Sequence, residues 1–465
     1  MISPPASLLR ALEAAVGEAA LLLDPDDRRL YGYDNSRRRG LPGAVVLPET
    51  PEAVRACVAA CAEHRWPLTT RGRGTGTTGA VTPLADEVVM SLERMDRILE
   101  IAPDDRLAVV QAGVTNQALQ DALAEHGFFW PPDPTSAAFC TVGGNLAYNS
   151  AGPRAVKYGT PRENTLGLAA VDGLGRAFRC GTRTSKGVVG YDLTRLLIGS
   201  EGTLAVITEA TLRLTPLPEG KRTLQAGYRD MHAAAAAVAR IMAQPVTPCA
   251  LEFIDGAALE MIRDYRPGAL PEGIGALLMI EVDGPLAGLE EAAERIAEAA
   301  SVDGLIRLDR ADTPERVQAL WEVRRALSPA LRRIAPKKIN EDVAVPVSRM
   351  PELIDRLGRL AEHHRITLVN FGHAGNGNIH VNLLVNPDDP EEMARAERCL
   401  DEVFTAVLAL GGTLSGEHGV GLEKRDFIAR ELDPVALELM HGLKKTLDPL
   451  GILNPGKALP AQRSP

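Results

Sequence analysis

Two histidines flank a glycine- and asparagine-rich stretch in Phe371-Gly-His-Ala-Gly-Asn-Gly-Asn-Ile-His-Val-Asn382, and Ser415-Gly-Glu-His-Gly419 adds a carboxylate beside a third imidazole. Two imidazoles and a carboxylate are a common way to hold a divalent ion with coordination positions left open for a reacting molecule. Such chemistry needs rigid elements behind it, and the flanking residues supply them. Residues 367–372 and 379–385 read as strands, joined by a tight turn at Gly375-Asn-Gly-Asn378. Because side chains alternate along a strand, His380 and Asn382 face one way while Ile379, Val381 and Leu383 face a core. The hairpin returns His373 to near His380.

With 465 residues the chain is too long for one typical core, so two domains are expected. A hydrophobic content of 45% and a charged content of 24% are ordinary for a globular protein. The net charge of -10 argues against a nucleic-acid partner, which calls for a basic surface. No apolar run reaches membrane-spanning length. The start, Met1-Ile-Ser-Pro-Pro, lacks the basic segment and apolar stretch of a signal peptide. Cytoplasmic residence is therefore the expectation, with peripheral membrane contact left open. The six cysteines include no C-x-x-C pair, so neither an iron–sulfur cluster nor a zinc ribbon is encoded. Redox chemistry would have to come from a bound organic cofactor. Cys57 and Cys61 fall on one face of a helix that starts at Thr50-Pro51, and they read as packing residues.

Strands and helices alternate among glycine-rich turns up to about Leu217, and Thr215-Pro-Leu-Pro-Glu-Gly220 marks a boundary. Beyond it, strands at 251–255, 276–282 and 304–308 with a helix at 286–300 suggest an antiparallel sheet covered by helices on one side, an α+β layer. In the front half, Arg71-Gly-Arg-Gly-Thr-Gly-Thr-Thr-Gly79 contains a G-x-G-x-x-G. A dinucleotide fold would open a helix there, and Thr82-Pro83 obstructs one. A loop of backbone N–H groups can approach a phosphate without any helix. A second stretch, Pro131-Pro-Asp-Pro-Thr-Ser136, Cys140-Thr-Val-Gly-Gly-Asn145, Asn149-Ser-Ala-Gly152 and Lys157-Tyr-Gly159, adds the small residues and backbone donors that a long cofactor requires. A third, Gly199-Ser-Glu-Gly-Thr-Leu-Ala-Val-Ile-Thr-Glu-Ala210, runs from a turn into a buried strand.

These three stretches resemble the flavin domain of the vanillyl-alcohol oxidase / p-cresol methylhydroxylase superfamily. The tail Asp448-Pro-Leu-Gly-Ile-Leu-Asn-Pro-Gly-Lys457 and the histidine motifs narrow the resemblance to FAD-linked D-2-hydroxy-acid dehydrogenases, a group with D-lactate, D-2-hydroxyglutarate and glycolate members. The implied fold is a p-cresol methylhydroxylase-type FAD-binding domain over 1–217, an α+β substrate domain over 218–440, and a segment, 441–465, that returns to the flavin domain. The resemblance implies FAD contacts at Arg71, Gly72, Gly74, Thr75 and Gly76 around the pyrophosphate. Along the flavin and ribityl chain it implies Pro132, Ser136, Thr141, Gly143, Gly144, Asn145, Ser150 and Gly152. Glu201, Gly202 and Ile207 would hold the adenine side and Asn454 the flavin ring. Arg73 and Ala205 stand where the family usually has glycine, Tyr148 is also unusual, and Asn376 replaces an aspartate that is not a ligand.

The same resemblance implies a divalent metal on His373, His380 and Glu417, with zinc first and manganese or iron as alternatives, and His418 as the catalytic base. The cation would lower the pKa of the substrate hydroxyl, a neutral imidazole would take its proton, and the flavin would take the hydride. Asn382 could hydrogen-bond the substrate. Arg324, in line with Val317, Trp321 and Ser328 on a helix from Thr313-Pro, would grip the carboxylate, and Ser328 would assist. The implied reaction oxidises a small D-2-hydroxy acid, with D-lactate as the leading substrate and D-2-hydroxyglutarate and glycolate next. Electrons would pass to a quinone, a cytochrome or an electron-transfer flavoprotein. An FAD-binding subunit of a multi-subunit oxidase complex and a metal-dependent hydrolase are the competing readings, and a homodimer is the assembly considered. The remaining histidines, His64, His126, His232, His363, His364 and His441, read as structural or exposed.

Overall fold

Thr50 accepts a hydrogen bond from Ala53 N and so caps the helix Pro51–Glu63, whose Val54, Cys57, Val58 and Cys61 are buried. Burial pushes the Cys57 thiol up to about 12, so both cysteines pack as the sequence suggests. The structure, a computed structural model, describes residues 3–267, 272–311 and 313–461. Contacts divide the chain into two compact units. The first comprises Met1–Gly152, Gly159–Leu217 and Glu417–Pro465, and the second comprises Pro153–Tyr158 and Pro218–Gly416. The chain re-enters the first unit at Glu417, where the sequence alone suggests residue 441. From Glu417 to Asp433 lie turns and one short 3-10 helix, Ile428–Arg430, and the helix Pro434–Leu447 already belongs to the first unit.

The first unit is built on two sheets. In one, Ala44–Val46, Val88–Ser91 and Leu68–Arg71 pair in parallel, backed by the helix Pro51–Glu63. The other is antiparallel, in the order Ile98–Ala102, Leu107–Gln111, Ala205–Arg213, Thr165–Asp172, Ala177–Gly181. Residues 72–87 form bends and turns with no helix, as expected from Thr82-Pro83.

The second unit carries a seven-stranded antiparallel sheet. Its strands are β1 (Gly220–Tyr228), β2 (Ala250–Asp255), β3 (Ala276–Gly284), β4 (Leu305–Ala311), β5 (Lys337–Ala344), β6 (Thr367–His373) and β7 (Asn378–Val385), in the order β4-β1-β3-β2-β6-β7-β5. Register sorts their side chains by face. Ile254 pairs with Leu277 and Phe371, and Phe371 pairs with His380, so these residues share a face with Glu252, His373, Asn382 and Asp342. Ile379, Val381 and Leu383 occupy the opposite face and are fully buried. The helices α1 (Met231–Ala243), α2 (Gly256–Tyr265), α3 (Leu286–Ala300), α4 (Pro314–Ile334), α5 (Met350–His364) and α6 (Pro390–Ala409) complete the unit. Helices on one side only is not what forms. The helices α2 and α4 pack on the face that carries Ile254, Phe371 and Leu384, whereas Tyr228, on the other face, donates to Ala300 O at the end of α3. The face beneath α4 is mixed, apolar under the helices and polar around the histidines, so an apolar-count reading of its strands hides its second layer.

Asp255 joins sheet and helix. It caps α2 by accepting from Ala258 N at 2.8 Å and accepts from both Asn370 N and Asn370 Nδ2 at 2.8 Å. Burial raises its pKa to about 6 from 3.8 despite these donors. A carboxyl whose folded pKa is raised contributes most below its unfolded pKa, and that contribution is lost as pH rises through the folded one. Asn at this position mimics the neutral acid. The stability of wild type relative to Asp255→Asn is therefore expected to fall by about 2 kcal/mol between pH 4 and pH 7, read from denaturant midpoints. A pH-independent difference would show that Asp255 stays ionised.

Candidate active site

In the first unit the glycine-rich stretches converge on one cavity of about 370 Å³. Arg71, Gly72, Gly74, Thr75, Gly76, Ser136, Thr141, Gly143, Gly144, Asn145, Ser150, Glu201, Gly202 and Ile207 line it, together with Glu417 and His418. Three expected contacts do not line it. Pro132 O accepts from the buried Asn116 Nδ2. Gly152 N donates to Glu417 Oε2 at 2.9 Å. Asn454 Nδ2 donates to Glu201 O at 2.6 Å, and Asn454 Oδ1 accepts from the buried Lys457. Arg73, Tyr148 and Ala205, the departures from the family pattern, all line the cavity, as does Thr70.

The first glycine loop is held from beneath. Arg71 Nη1 donates to Tyr33 O at 2.6 Å, and the guanidinium lies over the rings of Tyr31 and Tyr33 at 5.9 and 6.0 Å. Burial lowers its pKa, with Asp34 opposing. Asp34 in turn accepts from Gly79 N at 2.9 Å and closes the loop's far end. A Cβ on Gly76 would stand 2.6 Å from Tyr148 Oη, so the backbone approaches this wall as only glycine allows. Thr70 Oγ1 is buried with no protein partner among the described residues. A cavity walled by small residues and irregular backbone, with an unpaired hydroxyl on its lining, fits an extended cofactor with phosphate and ring oxygens.

Glu417 and His418 stand side by side, with His418 Nε2 3.9 Å from Glu417 Oε1. Neither sits on a helix or strand. Their position comes from neighbours, as Thr78 Oγ1 donates to His418 O at 3.4 Å and Thr78 O accepts from Leu422 N at 2.8 Å.

In the second unit the expected hairpin forms, with a 3-10 turn at Ala374–Asn376 between β6 and β7. It places the His373 and His380 rings 5.2 Å apart, edge to face. Two carboxylates that the motif did not announce hold them. Glu252 of β2 engages His373 Nδ1. Asp342 of β5, fully buried and paired with His380 across the strands, lies 3.5 Å from His380 Nδ1 and accepts from Asn378 Nδ2 at 2.6 Å. Carboxylates behind imidazoles fix ring orientation and raise donor strength, so this donor set suits a divalent cation. Asn382 is fully buried and its Nδ2 donates to Val369 O and His380 O, which orients the amide. Its Oδ1 has no protein partner among the described residues. The side chains of Arg324 and Ser328, on α4, lie outside the described residues.

Comparison with known proteins gives the family. Residues 217–458 match the family "FAD linked oxidases, C-terminal domain" and residues 42–181 match "FAD binding domain". The glycolate oxidase subunit GlcD of Bacillus subtilis (strain 168) is 39% identical over 431 residues, covering 92% of this chain and 92% of the relative. A D-lactate dehydrogenase of Anaerostipes hadrus is 34% identical over 448 residues, covering 93% and 91%. Among solved structures, p-cresol methylhydroxylase with substrate bound superposes with a TM-score of 0.77 at 19% identity, covering 97% of this chain and 96% of that one. The chain belongs to the FAD-linked oxidases, in the group of the D-lactate and glycolate dehydrogenases, and its fold is that of the p-cresol methylhydroxylase flavoproteins. It is an FAD-dependent oxidoreductase. Among the described residues no helix is long and apolar enough to cross a membrane.

Proposed function

We propose that this chain oxidises a small D-2-hydroxy acid, D-lactate or an acid of similar size, to the 2-oxo acid and passes the electrons to an acceptor other than oxygen. The observation that carries the reading is the lining of one cavity by both the glycine loops and the Glu417–His418 pair. FAD, held by that lining, supplies the two-electron acceptor, and a divalent cation on His373, His380 and Glu417 supplies a Lewis acid.

His418 accepts the hydroxyl proton through a ring nitrogen, as neutral imidazoles do. Glu252 and Asp342 keep the His373 and His380 rings in place. Asn382, on the strand face of His380 and with its amide oriented by two bonds, contributes a hydrogen bond to the substrate. Arg324, with Ser328, grips the carboxylate. A quinone, cytochrome or electron-transfer flavoprotein takes the electrons onward.

A glycolate reading has its own support, since relatives at 39% and 35% identity are glycolate oxidase subunits. Anaerobic titration of the purified yellow protein with D-lactate, L-lactate, D-2-hydroxyglutarate and glycolate separates the two. Bleaching of the flavin band by D-lactate and not L-lactate is the expected result. Bleaching by glycolate alone would assign the second reading, and a band that no hydroxy acid bleaches would overturn both.

A further inference from the structure

The segment that carries Glu417 and His418 has neither helix nor strand to hold it, yet it is half-buried and closely fitted. Backbone N–H groups in such a place need acceptors. Glu201 supplies two, with Oε1 accepting from Val420 N at 2.5 Å and Oε2 from Gly421 N at 2.7 Å. Both oxygens of this buried carboxylate are therefore turned to the residues just after His418, although Glu201 lies on the cavity lining. Its backbone is clamped as well. Glu201 N donates to Ala147 O at 2.9 Å, in the helix Val142–Tyr148, and its O accepts from Asn454 Nδ2 at 2.6 Å. It sits at φ 51°, a left-handed conformation that a non-glycine residue keeps only where its surroundings enforce it. From the other side, a Cβ on Gly419 would stand 2.5 Å from Tyr148 Cδ1 and 2.7 Å from Glu201 Oε1, so the chain after His418 passes through a slot between those two residues.

We propose that Glu201 is a positioning residue for His418: its carboxylate pins Val420 and Gly421 and thereby fixes the direction in which the imidazole enters the cavity. This rests on the reading of His418 as the base, and it reassigns Glu201 from the cofactor contacts to the support of the catalytic loop. Burial raises its pKa to about 7 while the two N–H donors, Lys424 and Lys457 pull it down, which fits a carboxylate kept partly ionised by the loop it holds.

The test uses the holoenzyme and the variants Glu201→Gln, which puts a donor where one N–H needs an acceptor, and Glu201→Asp, which keeps two acceptor oxygens. In Glu201→Gln, amide hydrogen exchange at 420 and 421 is expected to quicken about 10- to 100-fold, the loss of one charge-assisted bond, with exchange in 142–148 unchanged. FAD content per chain is expected to stay at the wild-type level. The limiting rate of flavin reduction is expected to fall about 10- to 100-fold with little change in the half-saturating substrate concentration. Glu201→Asp is expected to recover part of both effects. Unchanged exchange at 420 and 421 would overturn the proposal, as would loss of FAD with a wild-type reduction rate in the flavin-bound fraction. If no 2-hydroxy acid reduces the wild type, the functional reading fails, and the exchange data still decide whether Glu201 holds the loop.

Discussion

His418→Ala is expected to retain FAD and to lose reduction of the flavin by its hydroxy acid about 10²- to 10⁴-fold, the usual span for removing a general base. The fold should tolerate the change. His418 has no place in a helix or strand, its ring borders the cavity, and the bonds that hold its segment are made by its backbone and by Val420 and Gly421. The measurement is the anaerobic reduction rate under single-turnover conditions, with flavin content and thermal midpoint as controls. His418→Asn separates proton acceptance from mere packing, since an amide fills similar space and forms hydrogen bonds without basicity at neutral pH. Both variants should be equally slow. An alanine variant that reduces at the wild-type rate would remove His418 from the chemistry.

His380→Ala should abolish bound metal and slow reduction about 10²- to 10⁴-fold, because a Lewis acid contributes several kcal/mol to ionising the substrate hydroxyl. The more discriminating variant is Asp342→Asn. Asp342 is fully buried and lies behind His380 at 3.5 Å, so it orients a ligand without being one of the proposed ligands. Removal of such a partner costs about 10- to 100-fold in metal affinity. The expected result is an enzyme that loses metal to dilute chelator and recovers when Zn²⁺ or Mn²⁺ is added in excess, whereas His380→Ala does not recover. Metal content by elemental analysis checks both. Equal metal content in wild type and His380→Ala would show that the cation is held elsewhere.

Much of the site is legible in the chain because its parts are local. The hairpin from Thr367 to Val385 follows from period-two alternation around a Gly/Asn turn, and that alternation already puts His380 and Asn382 on one face. The glycine loops are equally local, since a run of residues without Cβ atoms declares a close approach whatever surrounds it. The missed residues are those whose roles depend on strands brought together from afar. Glu252 meets His373 across 121 residues of sequence, and Asp342 meets His380 through the pairing of β5 with β7. Nothing in Leu251-Glu-Phe or Asn340-Glu-Asp marks those carboxylates, because a buried acid looks like any acid until its partner is known. The layer of helices α2 and α4 was hidden for a related reason. The sheet face beneath them mixes apolar residues with His373, His380 and Asn382, and only register sorts one group from the other.

By itself the sequence determines the family, the flavin-type loops and the identities of the histidines and glutamates proposed for the chemistry, since these reside in short motifs whose backbone requirements are met within a few residues. Tertiary structure decides which of them stand together and what holds them still. Pro132, Gly152 and Asn454 read as cofactor contacts and lie off the cavity lining, bonded to Asn116, Glu417 and Glu201, while Glu201 reads as a cofactor contact and turns both carboxylate oxygens to Val420 and Gly421. The physical reason is that a hydrogen bond between residues more than 200 positions apart depends on how sheets pair and segments return, and no local spacing encodes that.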